Sequence, residues 1–480
     1  MYIACKKCSA RSILPVIPAF LFLLSLFQVS CSSGEEKRPP NILFIMTDQH
    51  NARALGCYGN REISTPNMDR LAEEGVLFEN AICQTGQCVP SRYSIFTGRY
   101  SRSHGTYWNG QDQDGSELTV AELFGAAGYV TGTIGKHHMN MTEANENHGF
   151  DTVLVPRVRL HPVDTLPFSE AHPGRSYVGP SSLPNEEHTC GLITQASLDF
   201  ILANQDKPFV LWCSFFGPHT PINPSRPWAD MYDPEKLTLP ANHGNVDMKI
   251  PDMESLISKS GNYSRTSYHR YTLAQYYGFV SQIDHNIGRL LDELDELGLT
   301  DNTLVVYTAD HGEMMSEHLS WTKGLTGYDA TIKVPMIIRD SRYFKGGKRI
   351  SKTACSIDFL PTFLEYAGLE IPEQVQGHSL LPSHMEKDSW RKVAFSQIGT
   401  DCENCVITVR SETQKYVMFR FDNKLEYEQF FDLEKDPWEM ENLIEETGYQ
   451  DKISEFREVL HQWETETETK MPEPLISRTG

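Results

Sequence analysis

The chain has 480 residues, of which 39% are hydrophobic and 22% are charged. This composition is ordinary for a soluble globular enzyme, and it excludes a low-complexity or fibrous protein. Acidic residues outnumber basic ones by 64 to 43, so the formal net charge is −21. Because so acidic a surface repels a phosphate backbone, we expect no nucleic-acid partner.

Residues 1–30 have the plan of a secretory signal peptide, with basic residues before the apolar run 13–29. The junction before Cys31 resembles a bacterial lipoprotein cleavage box, which predicts lipidation of Cys31. The alternative is a plain secreted protein, and a membrane-spanning anchor is disfavoured because the run is shorter than about 20 residues. We therefore expect export to the periplasm or the cell surface, with contact to the outer membrane only through a lipid anchor.

The cysteines after Cys31 do not form the dense pairs of a disulfide scaffold. They stand at positions 57, 83, 88, 190, 213, 355, 402 and 405. The Cys402-x-x-Cys405 pair fits a small disulfide or half of a zinc site. A zinc site is disfavoured, because no second pair or nearby histidine completes a tetrahedral set.

Short apolar runs alternate with helical patterns along the chain. Buried strands are predicted over residues 41–47, 209–215, 303–308 and 334–339. The clearest helical pattern runs from Leu273 to Leu297 and stops at Gly298. This alternation predicts an α/β fold, with a large, mostly parallel sheet sandwiched by helices.

Polar residues follow three of the predicted strands. Asp48 and Gln49 come after the first, His219 after the second, and Asp310 and His311 after the third. Ligands in such sheets gather beyond the carboxyl ends of the strands, so we expect these residues on one rim.

The pattern changes along the second half of the chain. Residues 39–385 are predicted to form the main domain, in which residues 155–265 make loop-rich excursions over the rim. From residue 386 to 480, short strands and an amphipathic helix near 451–468 predict a smaller α+β subdomain with an antiparallel sheet.

Cys88 stands just before a predicted helix. Pro90 suits the first turn of that helix, and free backbone N–H groups there favour an anion. Arg92 follows one turn later. The residues alone fit either an activated thiol beside an anion site or a buried structural cysteine.

The sequence Cys-x-Pro-Ser-Arg at 88–92, followed by Thr-Gly-Arg at 97–99, resembles the signature of the formylglycine-dependent type I sulfatases of the alkaline phosphatase superfamily. The resemblance covers residues 41–443 and includes the segments 55–59, 65–71, 135–138, 217–221, 308–312 and 431–437. It implies an alkaline-phosphatase-like fold and hydrolysis of sulfuric esters. It also implies that a formylglycine-generating maturation enzyme oxidises Cys88 to 3-oxoalanine.

The resemblance implies a divalent cation, with Ca²⁺ expected before Mg²⁺ or Mn²⁺. Its implied ligands are Asp48, Gln49, an oxygen of modified Cys88, Asp310 and His311. Carboxylate oxygens suit Ca²⁺ or Mg²⁺, and a histidine ligand favours a softer metal such as Mn²⁺. Many family members have a second acid at the position of Gln49 and an asparagine at that of His311. Read alone, each aspartate also fits a capped turn at a strand end.

The resemblance implies that Arg92, Lys136 and Lys323 surround the sulfate and the aldehyde hydrate. Cations there stabilise the charge that crowds a nucleophile attacking sulfur. His219 matches the general acid that protonates the leaving alcohol, and His138 matches the base that regenerates the aldehyde. His137 is interpreted as a packing residue or as a support for the side chains that bind the sulfate.

Exported lipoprotein sulfatases of bacteria resemble enzymes that remove O-sulfate from polysaccharides. We therefore expect a carbohydrate O-sulfatase acting on glycan or glycosaminoglycan saccharides. Tyr107 and Trp108 would stack on a sugar ring or serve only as packing, and Arg102 or His104 would meet a uronate carboxylate.

Two alternative functions stay open. A phosphonate monoester or phosphodiester hydrolase shares the Asp-His-Gly metal pattern and formylglycine. A catalytically silent glycan-binding lipoprotein is disfavoured, because a binding protein has no use for an oxidisable nucleophile.

Overall fold

The computed structural model describes residues 38–111, 113, 115–139, 147–156, 178–251, 253, 257 and 266–467. The described residues from Pro39 onward form one compact unit. The predicted signal peptide and Cys31 lie outside the described residues, as does part of the segment 155–265. Among the residues described, no helix is long and apolar enough to cross a membrane.

The strands are β1 Asn41–Asp48, β2 Val76–Phe78, β3 Ala81–Ile82, β4 Val130–Gly135, β5 Thr152–Leu154, β6 Phe209–Pro218, β7 Thr303–Ala309, β8 Met336–Arg339, β9 Lys348–Ile350, β10 Ala354–Cys355, β11 Val393–Gly399, β12 Cys405–Ser411, β13 Gln414–Phe421 and β14 Lys424–Asp432. The helices are α1 Pro66–Glu74, α2 Cys88–Thr97, α3 Ser101–His104, α4 Val120–Ala126, α5 Thr189–Asn204, α6 Thr266–Glu296, α7 Asp329–Ile332, α8 Phe359–Tyr366, α9 Pro382–Met385 and α10 Gln450–Thr467.

The main sheet has eight strands in the order β5-β4-β6-β1-β7-β8-β2-β9. Strand β1 lies between β6 and β7 and is parallel to both. Only β8 runs against its neighbours in this sheet, and it begins just after Pro335, whose missing N–H cannot join the ladder. The predicted mostly parallel sheet is confirmed.

Both faces of the main sheet are covered. Along β1, Ile42 and Phe44 pack into one buried apolar cluster, while Leu43 and Ile45 pack into another. Successive side chains of a strand point to opposite faces, so two apolar layers require a continuous apolar run. The long helix α6 packs on the second face and ends before Gly298, as its pattern predicts.

Helix α5 lies within the segment that the sequence predicts to be loop-rich. Its buried positions include Gly191, Thr194 and Ser197. Small and polar residues at buried positions weaken the apolar periodicity by which a helix is recognised, and this explains the difference.

The C-terminal part carries a separate antiparallel sheet in the order β11-β12-β13-β14. Helix α10 covers one face, where the ring of Trp463 stacks on Phe395 with centroids 4.7 Å apart. The other face packs against Tyr328 and Met314 of the main domain. The predicted small sheet and terminal helix are confirmed, while the boundary at residue 386 stays a prediction.

Asp284 of α6 caps a different helix. Thr65 makes no side-chain cap to α1, and the Asp284 carboxylate instead accepts hydrogen bonds from the backbone N–H groups of Asn67 and Met68, at 3.0 and 2.8 Å. Burial raises the pKa of Asp284 to about 6, against the opposing effect of these hydrogen bonds.

We expect Asp284→Ala to lower the free energy of unfolding by about 2 kcal/mol, because it leaves the buried N–H of Met68 and the half-buried N–H of Asn67 without an acceptor. Asp292→Ala is the matched control on the same helix, since Asp292 forms an exposed ion pair with Arg70. That control should cost less than about 0.5 kcal/mol. Urea unfolding measures both, and equal losses would refute the capping role of Asp284.

Candidate active site

Four strand ends meet at one rim of the main sheet. Asp48 ends β1, Lys136 follows β4, His219 follows β6 and Asp310 follows β7. Backbone hydrogen bonds tie these ends together: the N–H of His219 donates to the carbonyl of Asp48 at 3.1 Å, and that of Lys136 donates to Ser214 at 2.8 Å. The rim predicted from the sequence is confirmed.

Two glycines allow the close approaches at this rim. Gly135 has a φ of +102°, and a side chain there would collide with the carbonyl oxygen of Ser214. A side chain at Gly312 would collide with the carbonyl of Ala330. Only glycine fits both places, and this sets the backbone on which Lys136 and His311 stand.

Cys88 is the first residue of the fully buried helix α2, as predicted. Its sulfur lies 2.8 Å from Lys323 Nζ, 3.2 Å from His311 Nε2, 3.9 Å from Lys136 Nζ and 3.8 Å from Asp48 Oδ1. Burial and Asp48 raise the pKa of the Cys88 thiol, but Lys323, His311 and Lys136 outweigh them, so it lies well below its usual value.

Asp48, Cys88, Asp310 and His311 each offer one ligand atom, and these four atoms all lie within 4.8 Å of one another. His311 Nδ1 lies 2.8 Å from the carbonyl oxygen of Gly312, which can only accept, so Nδ1 carries a proton. In the neutral ring Nε2 carries the lone pair, which accepts from Lys323 Nζ at 3.0 Å in this structure and is the atom that would bind a metal ion. Two carboxylates and a neutral imidazole fit a divalent cation.

Arg92 forms ion pairs with both Asp48 and Asp310. Its Nη2 lies 2.9 Å from Asp48 Oδ2, and its Nε donates to Asp310 Oδ2 at 2.9 Å. Its Nη1 donates to the carbonyl of Lys136 at 2.5 Å and to Ser214 Oγ at 2.9 Å. The side chain is completely buried, so this geometry favours a role in holding the carboxylates. The predicted contact of Arg92 with substrate stays a prediction.

The two carboxylates differ in their electrostatic surroundings. Burial raises the pKa of Asp48, but Lys136, His219 and Arg92 outweigh it and bring the pKa well below the usual range. Lys136 Nζ lies 2.5 Å from Asp48 Oδ2. Burial and the charge of Asp48 raise the pKa of Asp310. Asp48 is therefore the more firmly ionised of the pair.

The two predicted proton-transfer residues, His219 and His138, have different surroundings. His219 Nε2 lies 3.9 Å from Asp48 Oδ1, and its Nδ1 lies 2.6 Å from the carbonyl oxygen of Thr220. The ring of His138 is exposed, and the described part of the chain gives it no hydrogen bond. The structure thus brings His219 to the rim carboxylate and leaves His138 at the surface.

His137 is buried, and among the residues described neither of its ring nitrogens has a hydrogen-bond partner. Its ring packs edge-on against His148 at 5.3 Å and beside Phe96. Burial, with smaller effects of His148 and Arg92, lowers the pKa of His137 to about 3. This placement agrees with its interpretation as a packing residue.

Gln49 contacts Glu313, a residue that is not among those predicted from the sequence. Its side-chain nitrogen donates to the Glu313 carboxylate, and its backbone N–H donates to Asp310 Oδ1 at 3.0 Å. A carboxylate only accepts, so the amide oxygen of Gln49 faces away from Glu313. Binding of a cation by that oxygen stays a prediction. In the sequence, only its position two residues after His311 indicates that Glu313 lies near the site.

The structure contradicts the suggestion that Arg102 or His104 meets a uronate. Arg102 is buried, with its Nη1 3.4 Å from Glu464 and its guanidinium over the Trp463 ring. His104 Nε2 lies 2.9 Å from Ser94 Oγ. The C-terminal helix that covers this region is not foreseeable from residues 99–109 alone.

The other side chains of that region are placed as follows. Tyr107 Oη lies 3.0 Å from Cys402 Sγ, whereas Trp108 is 46% exposed and free to meet a ligand. Stacking of these rings on a sugar stays a prediction. All eight described cysteines are free, so Cys402 and Cys405 form no disulfide in this structure.

Comparison with known proteins decides the family. Residues 40–369 match the model of the family described as Sulfatase, and residues 316–466 match that of the N-sulphoglucosamine sulphohydrolase C-terminal region. An arylsulfatase of Clostridium perfringens is 33% identical over 88% of this chain and 93% of its own length. The chain belongs to the sulfatase family. This sulfatase is therefore a sulfuric ester hydrolase, which confirms the family and enzyme class expected from the sequence.

Two further comparisons agree with this assignment. An N-acetylglucosamine-6-O-sulfatase of Bacteroides thetaiotaomicron is 29% identical to the sulfatase over 96% of this chain and 93% of its own. The solved structure of a phosphonate monoester hydrolase from Silicibacter pomeroyi superposes with a TM-score of 0.77 at 25% identity, over 89% of this chain and 96% of that one. The alkaline-phosphatase-like fold is confirmed.

We expect Arg92→Met to destabilise the sulfatase by about 4 kcal/mol, because it leaves Asp48 and Asp310 buried without their shared partner. Arg226→Met is the control, since Arg226 pairs with Asp230 on the surface, where both side chains are about 60% exposed. The control should change stability by less than about 0.5 kcal/mol. Chemical denaturation compares the two, and a loss below about 1 kcal/mol for Arg92→Met would contradict the role of Arg92 in holding the carboxylates.

Proposed function

We propose that the protein is a carbohydrate O-sulfatase that uses formylglycine at position 88 and one bound Ca²⁺ ion. The observation that carries the proposal is the position of Cys88 at a buried helix start, with Lys323 and His311 within 3.2 Å of its sulfur. The similarity to an N-acetylglucosamine-6-O-sulfatase, which extends over 96% of the chain at 29% identity, supports a sulfated sugar as substrate.

Maturation would convert the Cys88 side chain into an aldehyde. The Cβ–S bond breaks and sulfur leaves as hydrogen sulfide, while a Cβ=O bond forms with an oxygen from water. Two protons and two electrons pass to the oxidant of a formylglycine-generating maturation enzyme. The hydrated aldehyde supplies a hydroxyl nucleophile that a thiol cannot replace. Helix α2 holds this position rigidly, since every residue of it is buried.

Asp48, Asp310 and His311 would hold the cation, together with an oxygen of modified residue 88 and the amide oxygen of Gln49. When bound, a divalent cation stabilises negative charge on the sulfate oxygens and on the nucleophile. Ca²⁺ is proposed before Mg²⁺ or Mn²⁺ on the resemblance to the formylglycine-dependent sulfatases, and the two carboxylates of the donor set suit any of these cations.

The basic side chains beside residue 88 have distinct tasks. The ammonium groups of Lys136 and Lys323 lie 3.9 and 2.8 Å from the sulfur of Cys88. From there they would bind the sulfuryl oxygens. His219 holds Nδ1–H on the carbonyl of Thr220, so its imidazolium form carries the second proton at Nε2, from which it would protonate the leaving alcohol. His138, whose ring is exposed in the structure, would take the proton of the remaining hydroxyl while the sulfated hydrate returns to the aldehyde and releases sulfate.

The site of action follows from residues 1–31. We propose that they form a signal peptide with lipidated Cys31, so that the enzyme acts at the periplasm or cell surface. There it would meet sulfated polysaccharide fragments, the substrate class proposed above.

A second candidate is the hydrolysis of phosphonate monoesters or phosphodiesters. It is favoured by His311 among the cation ligands and by the fold of the Silicibacter pomeroyi enzyme. A panel of sulfated disaccharides and an aryl phosphonate ester separates the two functions. A much higher kcat/KM on the phosphonate would reverse the proposed substrate class. A silent glycan-binding protein would turn over neither.

We expect Cys88→Ala to lower desulfation by more than about 1,000-fold, because alanine provides no hydrate. Cys83→Ala is the matched control, a cysteine equally buried but outside the donor set, and it should keep most of the activity. Initial rates on a sulfated sugar, with circular dichroism as a check of folding, make the comparison. Substantial activity in Cys88→Ala would refute the formylglycine mechanism.

We expect Ca²⁺ to raise the unfolding free energy of chelator-treated enzyme by about 2.7 kcal/mol at 100 times its dissociation constant. Asp310→Asn should abolish this shift, and Asp230→Asn, at an exposed position, should keep it. Thermal unfolding with and without Ca²⁺ measures it. A shift with Mn²⁺ alone would replace the proposed cation, and a shift retained in Asp310→Asn would move the site elsewhere.

A further inference from the structure

The segment between the cation ligand His311 and Lys323 is strained. Five residues other than glycine adopt left-handed backbone conformations there: Met315 (φ 47°), Ser316 (75°), His318 (48°), Leu319 (56°) and Thr322 (70°). Each such conformation costs free energy and persists only where its surroundings enforce it. Something must therefore hold residues 313–322 in place.

The segment is closed like a hairpin. The backbone N–H of Met314 donates to the carbonyl of Thr322 at 2.9 Å, and that of Ser316 donates to Ser320 at 2.8 Å. The closing pair lies next to Lys323. The shape of this loop therefore determines where the Lys323 backbone leaves it.

Buried polar contacts anchor the far end of the loop. The completely buried Glu317 carboxylate accepts hydrogen bonds from Arg53 Nη1 at 2.8 Å and from Asn242 Nδ2 at 2.9 Å. The ring of His318 stacks on Tyr328 with centroids 3.9 Å apart. These contacts fix the tip, but none of them reaches the residues beside Cys88.

The near end is held by Glu313, which is 1% exposed. One oxygen accepts from the side-chain nitrogen of Gln49. The other accepts from the backbone N–H groups of Thr322 and Met315, the latter at 3.2 Å. The Glu313 carboxylate thus links Gln49, which follows Asp48, to Thr322, which precedes Lys323.

We infer that Glu313 is a positioning residue, which sets the Lys323 ammonium against residue 88 by tethering Thr322 to Gln49. A lysine side chain has four rotatable bonds, so its ammonium is placed reproducibly only from a fixed backbone. Thr322 has a left-handed backbone conformation and immediately precedes Lys323. Its hydrogen bond to Glu313 therefore fixes the backbone from which the Lys323 side chain starts. The inference rests on the proposed function, in which Lys323 binds the sulfuryl oxygens.

The carboxylate is required because all three of its partners donate. An amide at position 313 keeps only one accepting oxygen, and its nitrogen would face a donor. Glu313→Gln should therefore release either Gln49 or Thr322 while preserving the size of the side chain. Glu317→Gln is the matched control, the same change at a buried carboxylate in the same loop.

The test is the competitive inhibition constant of inorganic sulfate, measured with kcat in the matured enzyme. An inhibition constant does not depend on how much of the enzyme is inactive, so mere loss of folded protein does not change it. For Glu313→Gln we expect the constant to rise about tenfold and kcat to fall on the order of 100-fold. For Glu317→Gln we expect a lower melting temperature and an inhibition constant within about twofold of the parent.

A double variant provides the rescue. Gln49→Glu combined with Glu313→Gln reverses the donor and acceptor, and the amide oxygen at 313 can still accept from Thr322. Because the exchanged pair keeps both hydrogen bonds of residue 313, we expect the double variant to recover sulfate inhibition to within about threefold of the parent. This variant also serves if Glu313→Gln alone does not fold.

Lys323→Ala separates the two claims. If it leaves sulfate inhibition unchanged, the proposed role of Lys323 is wrong. If it weakens inhibition while Glu313→Gln does not, the positioning role of Glu313 is wrong and the proposed function stands. Equal weakening in Glu313→Gln and Glu317→Gln, or no recovery in the folded double variant, would also overturn the positioning role.

Discussion

The contact of Arg92 with Asp48 and Asp310 is the interaction on which the site depends. Two carboxylates at the ends of adjacent strands would repel each other in a buried setting, and a single guanidinium meets both at 2.9 Å. Arg92 stands one helical turn after Cys88 in α2. The same helix therefore presents the nucleophile position and neutralises the ligands beside it.

Positive charge then concentrates around the sulfur of Cys88 from separate parts of the chain. Lys136 comes from the end of β4 and Lys323 from the strained loop after β7. The C-terminal sheet supports this second side, because Lys415 and Arg410 bind Asp329 at the start of α7 at 3.2 and 3.1 Å. The smaller sheet thus takes part in holding the region from which Lys323 comes.

The strand ends, the long helix and the helix start at Cys88 could be predicted from the sequence. Each depends on local signals: apolar runs for the strands, a 3.6-residue period for α6, and Pro90 for α2. Glu313 could not be predicted, because its partners Gln49 and Thr322 are distant in sequence or are backbone groups. Left-handed conformations at residues such as Ser316 and Leu319 likewise have no sequence signature when glycine is absent. The predicted contact of Arg102 with a uronate was wrong because its partners Glu464 and Trp463 are distant in sequence and are brought to it only by the fold.

The central claim is that residue 88 of the working enzyme is an aldehyde. Mass spectrometry of the proteolytic peptide that contains position 88, isolated from enzyme with measured sulfatase activity, tests it most directly. We expect a peptide that has lost sulfur and gained a carbonyl, in a fraction that rises with specific activity. An unmodified cysteine throughout fully active enzyme would contradict it.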